Sequence, residues 1–550
     1  MTRALPEIKF HGLLGNALQR SCVNRLKKID YAQLVEPFAL RNENDGAWRC
    51  EFWGKVVRSA ILTNCYLHDK ELSAIIDDTV RAIIATQTAD GCISSYPADL
   101  QLSRWDIWGR KYVLLALLRY YDLVRSDEQV KNCCIKMLDH LISQIAFTQK
   151  ALTTYGEHGG LAASSILGAV VGVYRISREK RFLDFAKAIV DSGCSVKHNI
   201  FAAARFGIPP YELGNGKAYE MTSCFQGLAE LYQIEPLNEY KEACEKYFSA
   251  VRKEEIFITG TAGGKDRWGE YWDRGAVRQT ESGYSGGLGE TCVTATWIHY
   301  CERIADLTLD QIPLDEVERS LYNSVIGAMS VDGSRWMHVN PTPLIGKGYK
   351  LAAGDQIENN FGTPFGGHDC CRAQGPEALA AAARMAVVVR SQSIDINLFE
   401  PLTAKINNHI QIEISGNYPI DSVTKIKIAS QEPVTVRLRI PYFTKSVTLN
   451  GNSLNFSPGS YLVLTRKWLA RDVLLLEFDF SLHEISSPYN TGFTAFMRGP
   501  LVLAADSRGD VTEALISLKH RNISLTDYIT AGNLMDRENT LTVWFKTDLI

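Results

Sequence analysis

The sequence predicts an α+β multidomain chain in which an (α/α)6 barrel is followed by a C-terminal antiparallel β-sandwich. Three observations lead there. From Ala17 to about Val389, roughly twelve segments carry apolar residues at three- and four-residue steps, the spacing of amphipathic helices. Beyond Arg390 the period shortens to two and turn signals separate the runs. The chain has 550 residues, more than one hydrophobic core usually serves.

The candidate helices begin near Ala17, Arg49, Lys70, Asp106, Asp127, Gly160, Glu179, Lys217, Leu237, Glu290, Leu314 and Pro376. About twelve helices make about six hairpins, and alternating inner and outer layers then close a barrel. The hairpins repeat in pattern and not in residues. Long connections rich in Gly, aromatic and charged residues separate them: Asp90 to Trp105, Phe201 to Gly216, Gly260 to Gly289, and Trp336 to Asp369. Loops of this length inside a compact domain usually carry function. Gathered at one end of a barrel, they would wall a pocket.

In the C-terminal part, Ser393 to Phe399, His409 to Ser415, Val434 to Ile440, Ser446 to Leu449, Tyr461 to Thr465 and Val473 to Phe478 alternate apolar with polar residues. Asn450-Gly451-Asn452 is a hairpin signal between two of them. Phe493 to Ala505 closes the sandwich, and the chain from Asp506 is mixed. The expected domains are therefore 1–390 for the barrel, 391–505 for the sandwich, and 506–550 for a mixed or β extension.

A formal net charge of -3 and a pI near 6.4 give no reason to expect nucleic acid or an anionic membrane as partner. Small molecules or neutral polymers, a small carbohydrate among them, are the better expectation from composition, and a homodimer is the expected form if the chain assembles. Ten Trp and 23 Tyr, several in Gly-rich loops, suit stacking on sugar rings, although large proteins bury many aromatics regardless. No apolar run approaches a membrane span, and Met1 to Pro6 lacks an apolar signal core. An odd count of thirteen Cys argues against a disulfide framework and for a reducing compartment. The expected location is cytoplasmic.

Two motifs carry the chemistry. Gly289-Glu290-Thr291-Cys292 leads into a helix marked by Val293, Trp297, Tyr300, Cys301 and Ile304, and His368-Asp369-Cys370-Cys371 precedes Gly375-Pro376 and an Ala-rich helical run. Together they supply three thiols and a carboxylate, the ligand count of a closed zinc site. Thiolates at helix starts are stabilised by unpaired N–H groups, and a metal deprotonates its thiols outright, so all three are expected to be ionised. The alternative is that Cys behaves as a small core hydrophobe, as at Cys133-Cys134 on the apolar face of Val130, Ile135, Leu138 and Leu141. Spacing alone leaves zinc and core cysteine equally open. Upstream, Gly263 to Trp272 sets one carboxylate, Glu270, among aromatics. Burial against such walls raises a carboxyl pKa and would keep Glu270 protonated as a general acid. A solvated loop glutamate is the commoner reading of that loop taken alone.

Glu290-x-Cys292, the Cys370-Cys371 pair and Gly269-Glu270 resemble the signature of the zinc-dependent β-L-arabinofuranosidases, glycoside hydrolase family 127 and its relatives. The resemblance extends to Asp90-Gly91 with Tyr96, the helix Trp105 to Tyr121, Arg437-Leu438-Arg439-Ile440-Pro441, Leu449-Asn450-Gly451 and Arg498-Gly499-Pro500-Leu501-Val502, so it covers most of the chain. It implies that Glu290, Cys292, Cys370 and Cys371 bind Zn²⁺, that Cys370 is the catalytic nucleophile, and that Glu270 is the general acid/base of a retaining glycosidase. The implied reaction releases a terminal β-L-arabinofuranose-type sugar through a thioglycosyl intermediate.

The chain departs from the family in two places. The helix that often reads His-Glu-Leu-Tyr is here Asp106-Ile107-Trp108-Gly109-Arg110-Lys111-Tyr112, and Cys-Cys-Pro-Pro-Asn becomes Cys370-Cys371-Arg372-Ala373-Gln374. These changes touch sugar recognition. Basic residues Lys55, Arg110, Lys111, Arg274 and Arg278 open an alternative, an acidic furanoside, unless they pair with local Asp and Glu. Further alternatives are a sugar epimerase or uronyl-processing barrel, which would need no thiolate cluster, and a non-catalytic carbohydrate-binding protein with a structural zinc. Expected sugar contacts are Trp53, Trp108, His158, Tyr219, Glu220 and His368.

Overall fold

The computed structural model describes residues 6–43, 49–264, 269–281, 288–341, 349–350, 370–509, 511–533 and 540–550. In chain order the barrel is built from α1 (Leu13–Asn24), α2 (Phe52–Leu67), α3 (Lys70–Ala85), α4 (Asp106–Leu123), α5 (Glu128–Thr148), α6 (Leu167–Ser177), α7 (Lys180–Asp191), α8 (Ala218–Tyr232), α9 (Asn238–Glu254), α10 (Thr291–Thr308), α11 (Ile312–Ser320) and α12 (Cys370–Ala383). The even-numbered helices form the inner ring, each packing on the next, with α12 closing against α2. The odd-numbered helices form the outer layer.

Sequence decides which layer each helix joins. On outer helix α7 only Phe182, Ala186, Ile189 and Val190 are buried, one stripe facing inward, whereas inner helix α10 is buried on nearly every face. A helix apolar all round belongs inside, an amphipathic one outside. Outer helices α3 and α5 begin at Asp69 and Asp127, whose carboxylates accept from Leu72 N at 2.8 Å and Gln129 N at 2.8 Å. Such caps satisfy donors that the first helical turn leaves free.

One segment corrects the expectation that no apolar run approaches a membrane span. His158–Ser177 is long and apolar enough by length and composition, with a mean hydropathy of 1.4. Its stretch is 72% buried inside the protein, because α6 is an inner barrel helix packed between α4 and α8. Core helices and membrane helices pass the same compositional test.

Strand pairing cuts across the expected domain boundaries. Strand Glu7–Phe10 pairs antiparallel with Leu402–Ile406 and forms one edge of a seven-stranded sheet. Val387–Val389 and Ile394–Ile396 join Pro433–Ile440 and Ser460–Lys467 in a four-stranded sheet, where Ile394–Ile396 runs parallel to Pro433–Ile440. A third sheet starts at Leu482–Ser486 and runs through Leu501–Asp506 into Ile523–Asp527. Residues either side of 505 therefore share one sheet. The expected division at 505 followed a change in composition, and ladder hydrogen bonds do not track composition.

An ion-pair layer stiffens the inner ring. Glu377 on α12 is fully buried, receiving Arg58 at 2.7 Å and His299 at 3.0 Å. Burial pushes its carboxyl up, but Arg58 and His299 outweigh burial and hold it at about 2, against 4.5 when free. A carboxyl depressed by folding stabilises the protein above its unfolded pKa and loses that contribution as pH falls toward its folded value. The difference corresponds to about 3 kcal/mol, lost between about pH 5 and pH 2. Glu377→Gln is expected to cost about 3 kcal/mol at neutral pH by leaving Arg58 unpaired, and to flatten the acid limb of stability. Urea denaturation at neutral and acidic pH measures both effects; an unchanged midpoint contradicts them.

Candidate active site

The site lies where the N-terminal ends of inner helices α8, α10 and α12 meet. Glu290 is the residue before α10, held extended by strand Leu288–Glu290, which pairs with Val339–Pro341. That pairing places His338 beside the start of α10, where its carbonyl accepts from Thr291 N at 2.9 Å. Cys292 lies in the first turn of α10, while Cys370 and Cys371 open α12. The two distant motifs thus become neighbours.

The ligand atoms of Glu290, Cys292, Cys370 and Cys371 all lie within 4.8 Å of one another. Cys370 Sγ is 3.5 Å and Cys371 Sγ 3.4 Å from Glu290 Oε1, and the two sulfurs are 3.8 Å apart. The cluster could hold a metal ion. Burial pushes the Cys292 and Cys371 thiols and the Glu290 carboxyl well up. Cys370 goes the other way, held well below the usual thiol range by hydrogen bonds from Cys292 and Cys371. The protein alone therefore supports one thiolate, Cys370, and ionising all three requires a cation among them. Cys370 is also the half-buried member of a cluster whose other members are buried.

Glu270 approaches from the loop before α10. Gly263 and Gly269 both adopt positive φ, +91° and +70°, and a Cβ on Gly263 would sit 1.8 Å from the Gly269 carbonyl oxygen. Only glycine at 263 permits that crossing. Gly264 N donates to Tyr271 O at 2.7 Å and Ala218 N to Glu270 O at 3.0 Å, which ties the loop to the start of α8. The Glu270 carboxylate then pairs with Lys217 Nζ and lies 3.9 Å from His338 Nε2. Among the described residues its closest charged neighbour is the Lys217 ammonium, and Trp268, one of the aromatics expected to wall it, lies outside the described residues. Burial works against the Lys217 charge, but Glu220, Glu270 and Glu290 outweigh it and hold the ammonium protonated. Oxygens of Glu270 and Glu290 and a ring nitrogen of His338 lie within 4.8 Å of one another.

Beneath the cysteines is an aromatic and cationic floor. Lys55 is fully buried, 3.1 Å from Glu51 Oε1 and 3.9 Å from Cys292 Sγ. Trp108 donates its indole N–H to Glu51, and burial pushes the Glu51 carboxyl up to about 7. Tyr219 bonds the Tyr112 hydroxyl and donates to Gln374 Oε1 at 2.7 Å. Lys111 lies 3.9 Å over the Trp108 ring.

The expected sugar contacts separate into groups. Trp108 and Tyr219 belong to the buried floor. His158 stands 3.9 Å from Glu220 and edge-on to Trp105 and Tyr271, so His158 and Glu220 flank the Lys217–Glu270 pair. Glu220 is 2% exposed, and its Oε2 has no hydrogen-bond partner among the described residues. Trp53 is not at the site. It is fully buried and donates its indole N–H to Thr79 on outer helix α3 at 2.9 Å, so its ring fills the layer between helices. His368 lies outside the described residues. Lys217, His338, Glu51 and Gln374 were not anticipated; only the charge of Lys217 in the Gly-rich Gly214 to Lys217 turn hinted at one of them.

The family model for the β-L-arabinofuranosidase GH127 catalytic domain matches residues 15–384, and that for the GH127 middle domain matches residues 393–480. The non-reducing end β-L-arabinofuranosidase of Bifidobacterium longum subsp. longum is 22% identical over 515 residues, spanning 83% of this chain and 76% of that protein. Among solved structures, the GH127 β-L-arabinofuranosidase from Geobacillus stearothermophilus T6 has a TM-score of 0.75 at 16% identity, covering 98% of this chain and 99% of that one. A second GH127 β-arabinofuranosidase has a TM-score of 0.77 at 18% identity, covering 100% of this chain and 98% of that one. With a catalytic-domain model matched across most of the chain and the same fold from end to end, this glycosidase belongs to the GH127 β-L-arabinofuranosidase family.

Proposed function

We propose that the protein is a retaining glycosidase that releases a terminal β-L-arabinofuranose-type sugar through a thioglycosyl intermediate on Cys370, with Zn²⁺ held by Glu290, Cys292, Cys370 and Cys371. The observation that carries this reading is the meeting of a half-buried Cys370 with Glu290 and, across His338, with Glu270.

The donor set fits zinc. Tetrahedral Zn–S bonds of about 2.3 Å put neighbouring sulfurs about 3.8 Å apart, and a carboxylate oxygen about 3.6 Å from each sulfur. The cluster has 3.8 Å between Cys370 and Cys371 Sγ, and 3.5 and 3.4 Å from these sulfurs to Glu290 Oε1. When bound, zinc would hold the thiols deprotonated, which burial opposes at Cys292 and Cys371.

The reaction takes two displacements. Cys370 Sγ attacks the anomeric carbon as its bond to the aglycone oxygen breaks, and the protonated form of Glu270, which the Lys217 ammonium beside it opposes, gives that oxygen its proton. Glu270 then takes a proton from water, the water oxygen attacks the same carbon, and the C–S bond breaks to return the thiolate. Two inversions retain configuration. Lys217 pairs with the Glu270 carboxyl, and His338 Nε2 stands 3.9 Å from it.

Charge pairing supports a neutral sugar over the acidic furanoside. Of the five basic residues, Arg110 is committed to Asp106 at 2.8 Å, Arg278 to Asp273 and Glu281 at 3.1 Å each, and Lys55 to Glu51 at 3.1 Å, while Arg274 lies 3.9 Å from Glu254 and Lys111 donates to the Ser165 hydroxyl. Transglycosylation onto methanol tests the stereochemistry before the free sugar can mutarotate. Aryl β-L-arabinofuranoside should yield the methyl β-furanoside; the methyl α-furanoside rules out retention, and faster cleavage of a carboxylated analogue rules out the neutral-sugar reading.

A further inference from the structure

Between the inner helices lies a second space, a cavity of about 70 Å³. Its lining runs from Lys111, Tyr219 and Gln374, which form the floor of the catalytic site, down to Arg119, Arg175 and Arg303 near the C-terminal ends of α4, α6 and α10. The volume is far below the roughly 300 Å³ at which small-molecule pockets begin. No sugar fits there.

The charges around this cavity do not balance. Asp122 pairs with Arg175 at 2.9 Å and Glu230 with Arg303 at 2.8 Å. Glu302 pairs with Arg303 at 3.2 Å and Arg384 at 3.1 Å, and Glu377 with Arg58 at 2.7 Å. These carboxylates are matched one for one by Arg58, Arg175, Arg303 and Arg384. Arg119 is the guanidinium left over. It lines the cavity; Glu302, Glu230 and Glu377 act on its charge from a distance, but each of them is already paired with another arginine or histidine, and none forms an ion pair with Arg119 among the described residues. Burial, with Arg384 and Arg303 close by, pushes it down to about 9. Lys111 Nζ, donating to Ser165 Oγ at 3.1 Å, presents a second nitrogen at the upper wall.

An uncompensated buried charge is costly unless it finds a counter-charge. We propose that the axial cavity binds one small monovalent anion, a halide or a short carboxylate, on the Arg119 guanidinium. The stoichiometry follows from the one guanidinium without an ion pair, with Lys111 Nζ as a second donor in the same wall, and the size limit from the volume. The carbonyl ends of the inner helices also attract cations, and they are the competing account of why arginines gather here. This site is independent of the sugar reading, since it lies below the catalytic floor and shares no ligand with the cysteine cluster.

The test uses the full-length protein at constant ionic strength, replacing sodium gluconate, whose anion is too large for the cavity, by sodium bromide or sodium formate. Bromide and formate should each raise Tm by about 2 °C and then saturate, as one-site binding requires. A crystal soaked in bromide should show an anomalous peak beside Arg119. Arg119→Gln should abolish both; Arg119→Lys, which keeps the charge, should retain the Tm response. Equal Tm in bromide and gluconate, or a wild-type crystal without a peak in the cavity, overturns the proposal. Both wild-type readouts stand even if Arg119→Gln does not fold.

Discussion

Cys370→Ser is expected to lower kcat/KM on an aryl β-L-arabinofuranoside by about 10⁴-fold or more, the scale seen when a covalent nucleophile is removed. Serine keeps the size of the side chain but not the ionisation. Hydrogen bonds from Cys292 and Cys371 favour a thiolate at this position, and a hydroxyl would remain protonated in the same place. Metal content must be measured beside the rates, because the substitution also replaces a proposed ligand. Cys371→Ser is the companion, since Cys371 is fully buried against Glu290 and the His338 carbonyl. If Cys371→Ser loses metal yet keeps more activity than a metal-replete Cys370→Ser, the chemistry is assigned to Cys370. Equal activity of wild type and Cys370→Ser ends the nucleophile assignment.

The second large effect is expected at Glu270. Glu270→Gln should lower turnover of alkyl glycosides by about 10²–10⁴-fold, the usual weight of a positioned acid/base. The loss should be smaller in the first displacement for aryl glycosides with acidic leaving groups, which depart without a proton. The second displacement needs a base whatever the leaving group was, so a burst of phenol followed by slow turnover is the expected trace. Metal content should be unchanged, since Glu270 is not among the Glu290, Cys292, Cys370 and Cys371 donors. Equal loss for all leaving groups, with no burst, would place Glu270 in a binding or structural role.

Some of this was legible in the sequence and some was not, for physical reasons. Glu290-x-Cys292 and Cys370-Cys371 could be read because each is short, local and at a helix start, so local pattern fixed the backbone that presents the side chains. Their meeting depends on α10 and α12 being adjacent in the inner ring, which helix counting anticipates. The roles of Lys217 and His338 could not be read for the opposite reason. Lys217 reaches Glu270 only because Gly263 and Gly269 fold the loop back onto α8, and His338 only because Glu290 pairs with Val339. Trp53 went astray because α2 is buried on nearly every face. On such a helix, periodicity gives no clue to which side looks into the pocket. The strand Glu7–Phe10 shows no sign in four residues that its partner lies at Leu402–Ile406.

That pairing bears on how the chain is made. Lys9 and Thr403 stand opposite each other in the ladder, so a ribosome must add nearly the whole barrel before the partner strand exists. At about 5–20 residues per second, the first strand waits on the order of 20–80 s with its backbone donors and acceptors unpaired. During that interval Ile8, later fully buried, is open to any passing edge. Completing that border joins the beginning of the polypeptide to its C-terminal half, so a chain cut short before Leu402 leaves the first strand without its partner.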